Sequence, residues 1–310
     1  LNGSRVFFNT LLFFCRTEDI MHLKKIYPTY FMIIPLIVFT IFFLIPSTIG
    51  YLYAFTDWNP YVEKIKFVGF ENFVEIFQNR SLTTAFINTV VIAVVKTVFV
   101  TVIGVGIALL LNRGFRTNKM LRTVYFMPAI FSALIVGLIF SGLFDTQNGV
   151  INQVLGAIGV KDAQIEWLGS RWPALTVVNA AEIWRSAGYG VVITLAALQA
   201  IPADYLEAAK MDGANGWQRF RHIILPMIMP AVNVNILFSL IYGLKMFDLI
   251  LILTGGGPGH ETESFGTLIL SEMSRDRYSQ SVSINLIFSI MLVIVAILFQ
   301  KYSKKWEAKE

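Results

Sequence analysis

The chain alternates long apolar runs with short mixed ones, and the runs have the length of membrane spans. A helix needs about 20 apolar residues to cross a bilayer. The interval between Lys25 and Asp57 carries no charge, the one between Arg80 and Arg113 is charged only at Lys96, and the one between Arg122 and Asp145 is again uncharged. A fourth run follows Pro173 and ends near Pro202, with Glu182 and Arg185 inside it. A fifth extends from Ala231 to Leu253 and holds Lys245 and Asp248, and a sixth, uncharged, lies between Arg277 and Lys301. The pattern predicts an all-α integral membrane protein with six transmembrane helices near 29–55, 84–111, 122–144, 173–200, 231–253 and 280–300.

Composition agrees. The 310 residues are 55% hydrophobic and 15% charged, whereas soluble domains carry about 25% charged residues. The net charge of +5 raises the question of nucleic acid. The bases cluster at the ends of apolar runs, a pattern of membrane topology rather than of a phosphate-binding face. A single cysteine, Cys15, excludes an intrachain disulfide framework and a Cys-based zinc site. The histidines His22, His222 and His260 are scattered without metal-ligand spacing. The chain is therefore expected to bind no metal and no cofactor.

Loop charges set an orientation. Lys24 and Lys25 precede the first span; Arg113, Arg116, Lys119 and Arg122 crowd the loop after the second; Lys210, Arg219 and Arg221 follow the fourth; and Lys301, Lys304, Lys305 and Lys309 follow the sixth. With six spans these groups share one side, which predicts cytoplasmic N and C termini. The opposite loops mix acids with bases and are rich in Gly, Asn and Trp, and Trp58, Trp167 and Trp172 suit the headgroup level. The stretch "SRVFFNTLLFFCR" is too short to span, and Met21 opens a natural start. Residues 1–20 are read as an upstream extension or interfacial arm, and residues 21–310 as one transmembrane domain.

The cytoplasmic insert 202–226 contains "EAAKMDGANGWQRFRHIILP", from Glu207 to Pro226. Its local signals predict two short helices. The first starts after Pro202 and ends at Asp212-Gly213, where glycine accepts a left-handed conformation. Asn215 and Gln218 resemble a capping box for the second, which is expected to stop at Pro226. Leu206, Met211, Trp217, Phe220 and Ile223 supply an apolar surface for a soluble partner or for the lipid face.

The order Glu-Ala-Ala, three residues, Gly, nine residues, Ile, one residue, Leu-Pro falls on Glu207, Ala208, Ala209, Gly213, Ile223, Leu225 and Pro226. It resembles the EAA loop of binding-protein-dependent ABC importer permeases. The segments "FTDWN", "FVGFENFVEIF", "RTVYFMPAI" and "FDLILILTGGGPG" are similar to the carbohydrate-uptake class, specifically to the MalF-like member of a permease pair. The resemblance implies a MetI/MalF-like permease fold in a bacterial or archaeal cytoplasmic membrane. It further implies a second, MalG-like permease, an ATP-binding subunit dimer and an extracytoplasmic sugar-binding protein as partners. Glu207, Ala208, Ala209, Asp212, Gly213 and Ala214 would then dock on the ATPase. The chain has no GxxxxGK[ST] phosphate loop, so ATP and Mg would be used by the partner and this subunit would be non-catalytic.

Ionisable residues inside spans point to function. Glu182 with Arg185, and Lys245 with Asp248, stand three apart and are expected to pair along one helix face. Asn179, Tyr189, Asn233, Asn235, Tyr242, Asn285 and Ser289 offer amides, hydroxyls and rings for a substrate pathway, together with Lys245 and Asp248. If Lys96 and Lys245 line it, an acidic sugar, a uronate or a glycerol-phosphate-type solute fits better than a neutral sugar. Gly104 and Ala108 are spaced for close helix packing. An ion-driven secondary transporter would need paired pseudo-symmetric halves, and an enzyme would need a clustered acid/base or metal constellation; neither pattern is present.

Overall fold

The structure, a computed structural model, describes residues 30–112, 118–160 and 164–307. The expected arm over 1–20 lies outside them, as do position 29, where the first span was expected to begin, and Lys24, Lys25, Arg113, Arg116 and Lys309 of the basic groups.

Helices dominate the described residues, among which there is one isolated bridge, Thr56 to Phe67, and no strand. In chain order they are α1 (Phe31–Tyr53), α2 (Glu71–Gln78), α3 (Arg80–Leu111), α4 (Asn118–Phe126), α5 (Ala133–Leu143), α6 (Val150–Ala157), α7 (Arg171–Gln199), α8 (Ala203–Met211), α9 (Gly216–Leu244), α10 (Asp248–Leu253), α11 (Phe265–Ser274) and α12 (Tyr278–Glu307). Helices α1, α3, α9 and α12 are each long and apolar enough to cross a membrane; counting the bent pairs α4–α5 and α7–α8 as one span each raises the number from 4 to 6. The segments between the expected spans are not bare loops, since α2, α6 and α11 lie in them.

Two expected spans are broken. The third bends by 96° between its halves. Pro128 sits in a 3-10 turn, Met127–Ile130, and cannot donate to the turn before it. Phe131 is extended, and the Ser132 side chain accepts from the Ile135 N–H to start α5. The fifth span begins earlier than Ala231 and stops at Leu244, with α10 as a separate short helix after Phe247. The carbonyl of Met246, freed by this break, accepts from the Ser264 hydroxyl at 3.0 Å. In an apolar setting a freed backbone group requires such a partner.

Pro226 does not end a helix. The second helix of the insert 202–226 runs on into the fifth span as one helix, Gly216–Leu244. The turn Phe220–Ile224 is widened to π geometry, with the Leu225 N–H bonded to the Phe220 carbonyl, and Pro226 follows in the first turn after it. The same arrangement occurs in α1, where the π turn Thr40–Leu44 precedes Pro46. A π turn is a local accommodation for a proline ring that would otherwise meet the preceding turn.

The centre of the fold is α3, which packs along α7 and α9. Ala108, Leu111, Val191, Leu195, Ile228 and Val232 form one apolar cluster between these three helices. At their crossing a Cβ on Gly104 would lie 2.8 Å from the Gly190 carbonyl carbon, so the backbones of α3 and α7 touch. This bears out the packing role read for Gly104 and Ala108. Gly104→Val forces the helices apart and should cost about 1–3 kcal/mol. The expected readout is a lower melting midpoint of the purified protein in detergent, with helix content unchanged.

Candidate functional site

Two features combine unusual geometry with exposed or ionisable groups: the turn between α8 and α9, and a cavity walled by α3, α7 and α9.

The turn is closed by backbone rules alone. Helix α8 ends in a Schellman motif: the Ala214 N–H donates to the Ala209 carbonyl at 2.9 Å, and the Gly213 N–H to the Lys210 carbonyl at 3.1 Å. Gly213 has φ +76°, and nothing lies within 4 Å of where its Cβ would be. The requirement for glycine there is conformational rather than steric. Asn215 then opens α9 with a capping box: its side chain accepts from the Gln218 N–H at 2.9 Å, and the Gln218 side chain accepts from the Asn215 N–H at 2.8 Å. Ala209 is buried, whereas Glu207, Ala208, Asp212, Met211 and Trp217 are exposed. Helix α8 leaves α7 at 70°. The result is a capped hairpin tip that carries exposed apolar and acidic side chains between the short helix α8 and the long helix α9.

The cavity has a volume of about 450 Å³. Of the residues named from the sequence, Tyr189 from α7 and Asn235 and Tyr242 from α9 line it. Ser186, Phe238 and Ser239 line it too, and sequence reasoning missed them. Phe238 and Tyr242 stack at 5.0 Å between ring centroids. Asn235 donates from Nδ2 toward the Thr101 hydroxyl at 3.4 Å.

Charge is concentrated on one wall. Glu182 Oε1 accepts from Lys96 Nζ at 2.7 Å and from the Ser186 hydroxyl at 2.7 Å. Its Oε2 accepts from Arg185 Nε at 2.9 Å and from the adjoining guanidinium nitrogen at 2.7 Å. Arg185 also approaches Asp248 Oδ2 at 3.6 Å. The Lys96 side chain is 2% exposed and that of Glu182 3%. The stem of Lys96 passes beside Gly243, which has no side chain to block it. The expected Glu182–Arg185 pair is thus present as part of a larger group. The expected Lys245–Asp248 pair is not: the helix stops between them, Lys245 caps α9 and is exposed, and Asp248 turns to Arg185. The link between Lys96 and Glu182 was not readable, because it joins helices 86 positions apart.

The remaining candidates lie elsewhere. Asn179 is buried and donates to the Leu175 carbonyl at 2.9 Å, within its own helix. Asn233 faces a separate recess between α9 and α12, beside Phe299 and Gln300. Ser289 accepts from the Tyr51 hydroxyl at 3.0 Å and so ties α12 to α1. Asn285 is exposed on α12. None of these four lines the cavity, nor do Lys245 and Asp248. Among the described residues no group of three or more His, Cys, Asp or Glu could hold a metal ion.

Comparison with known proteins places this architecture. Residues 100–307 match the family described as binding-protein-dependent transport system inner membrane component. The "Multiple sugar-binding transport system permease protein MsmF" of Streptococcus mutans is 33% identical over 286 residues, covering 92% of this chain and 98% of that protein. The "Probable starch degradation products transport system permease protein AmyD" of Thermoanaerobacterium thermosulfurigenes is 32% identical, covering 83% and 88%. A subunit of a bacterial ABC transporter for import of the acidic polysaccharide alginate shares the fold, with TM-score 0.79, 24% identity and coverage of 93% and 99%. A hairpin tip built on the EAA pattern, helices fit to cross a membrane and a family match over two thirds of the sequence agree: the chain belongs to the binding-protein-dependent transport system inner membrane components, the permeases of ABC importers.

Proposed function

We propose that this chain is one permease subunit of an ATP-driven importer for a sugar or oligosaccharide, set in a bacterial or archaeal cytoplasmic membrane with six spans and both termini inside. A second, related permease completes the pathway, an extracytoplasmic sugar-binding protein delivers solute, and an ATPase dimer docks on the turn between α8 and α9. ATP and Mg are handled by the ATPase, and this chain catalyses nothing.

The observation that carries the reading is the construction of the hairpin tip. Glu207, Ala208, Asp212 and Gly213 stand exposed on a turn fixed at both ends by caps. Its second helix is continuous with a membrane span as far as Leu244. A push on the tip therefore reaches the cavity wall without crossing a flexible joint. The substrate pathway is the cavity with Tyr189, Asn235, Ser239 and Tyr242. The names of the relatives support sugar as cargo.

Purification tests the docking. The chain, expressed with its partner subunits, should retain a stoichiometric ATPase dimer through size exclusion, and Glu207→Arg should release the ATPase while the permease pair stays together. Retention of the ATPase by that variant contradicts docking at the tip.

A further inference from the structure

We infer that the cavity accepts an uncharged sugar and excludes acidic ones, and that Glu182 is the residue that sets this selectivity. The inference rests on the transport reading above and narrows its substrate class.

Among the described residues, two cations reach the cavity wall, Lys96 and Arg185. A uronate or phosphate would need at least one of them free. Lys96 is almost fully buried and its ammonium is held by Glu182 at 2.7 Å. Arg185 gives Nε and one terminal nitrogen to Glu182 and turns the other toward Asp248. Two carboxylates thus balance two cations inside the wall. An acidic solute would have to shed its water beside Glu182 with no unspent cation to receive it, and an uncompensated charge in such a site is costly.

What remains for a solute is neutral. The hydroxyl of Ser239, the amide of Asn235 and the rings of Tyr189 and Tyr242 face the space. Hydroxyl and amide groups match sugar hydroxyls, and ring faces match the apolar C–H face of a pyranose. The premise of the acidic reading, that Lys96 and Lys245 present free charge to the pathway, is met by neither residue. Glu182 acts through its neighbours, as a positioning and charge-setting residue, and need not touch the sugar.

The charge of the cavity can be read directly. In a Cys15→Ser, Tyr242→Cys background, the assembled transporter in detergent is treated with an anionic thiol reagent, 2-sulfonatoethyl methanethiosulfonate. It is also treated with a cationic one, 2-(trimethylammonium)ethyl methanethiosulfonate. Each rate is normalised to its reaction with a free thiol. Lys96 Nζ lies 5.6 Å from the Tyr242 ring, so the probe reports on this wall. The ratio of anionic to cationic rates is expected within about threefold of unity. Glu182→Gln should raise it about tenfold, as one uncompensated charge at this range implies. Lys96→Met, which leaves Glu182 with Arg185 and Ser186, should lower it, and Glu182→Asp should leave it in place. A parent ratio already favouring the anion by tenfold, or no movement in either charge variant, overturns the inference. Sugar uptake is scored separately in the assembly with Tyr242 intact: its complete absence strikes the transport reading, whereas an anion-selective cavity with that uptake present strikes this inference alone.

Discussion

Glu182→Gln is expected to be the most destabilising single substitution in the apolar part of the protein, and Lys96→Met a markedly milder one. The asymmetry follows from the contacts. Glu182 serves three donors, Lys96, Arg185 and Ser186. Removing its charge leaves the Lys96 ammonium buried without a carboxylate partner. Breaking a buried pair from one side costs about 3–5 kcal/mol, because the other charge stays in place uncompensated. Removing Lys96 instead leaves Glu182 bonded to Arg185 and Ser186, so the loss should be about 1–2 kcal/mol. The double variant Lys96→Met, Glu182→Gln removes both members and should recover more than half of the stability lost in Glu182→Gln. Thermal midpoints of the purified protein in detergent check all three. At about 2–4 °C per kcal/mol for a chain of this order of size, Glu182→Gln should fall by roughly 10 °C. Strict additivity of the two single losses would show that the residues do not act as a pair.

Gly213→Val is expected to separate ATP hydrolysis from transport while leaving the membrane part folded. The backbone at Gly213 is left-handed, and a Cβ there would meet open space. The only penalty is conformational, about 1–2 kcal/mol for a β-branched residue. Relaxing it would reshape the turn that fixes the relative direction of α8 and α9. Coupled uptake per ATP hydrolysed should fall roughly 5- to 30-fold, the factor that 1–2 kcal/mol represents. Gly213→Asn is the control, because asparagine tolerates the left-handed region through a local hydrogen bond, and it should retain most of the coupling. Equal coupling in Gly213→Val and the parent protein would remove the turn from the mechanism.

The parts legible in the sequence are those governed by neighbours along the chain. Gly213 and the Asn215–Gln218 box could be read because a helix end depends on a handful of adjacent residues. The apolar runs could be read because lipid demands length and composition only. The breaks at Phe131–Ser132 and at Lys245–Phe247 were hidden, since both sides stay apolar and the freed backbone groups are satisfied from distant positions such as Ser264. Pro226 was misread as a stop, because nothing in the one-dimensional pattern announces the π turn Phe220–Ile224 that accommodates it. Charge pairing failed for a related reason. Spacing of three suggested Lys245 with Asp248, but the helix ends between them, and the pairing that matters joins Lys96 of α3 to Glu182 of α7. Of the proposed pathway residues, Tyr189, Asn235 and Tyr242 share the cavity because they lie on the facing sides of α7 and α9. Asn233, two positions from Asn235 on the same helix, faces another recess.

The central claim is that this chain turns ATP hydrolysis by a partner into movement of a sugar. Its most direct measurement is uptake of radiolabelled oligosaccharide into proteoliposomes that hold the permease pair and the ATPase dimer, with the sugar-binding protein on the outside. ATP sealed inside should drive accumulation, a non-hydrolysable analogue should abolish it, and dissipating ion gradients with ionophores should leave it unchanged. Accumulation that persists without ATP and collapses with the ion gradient would contradict the account.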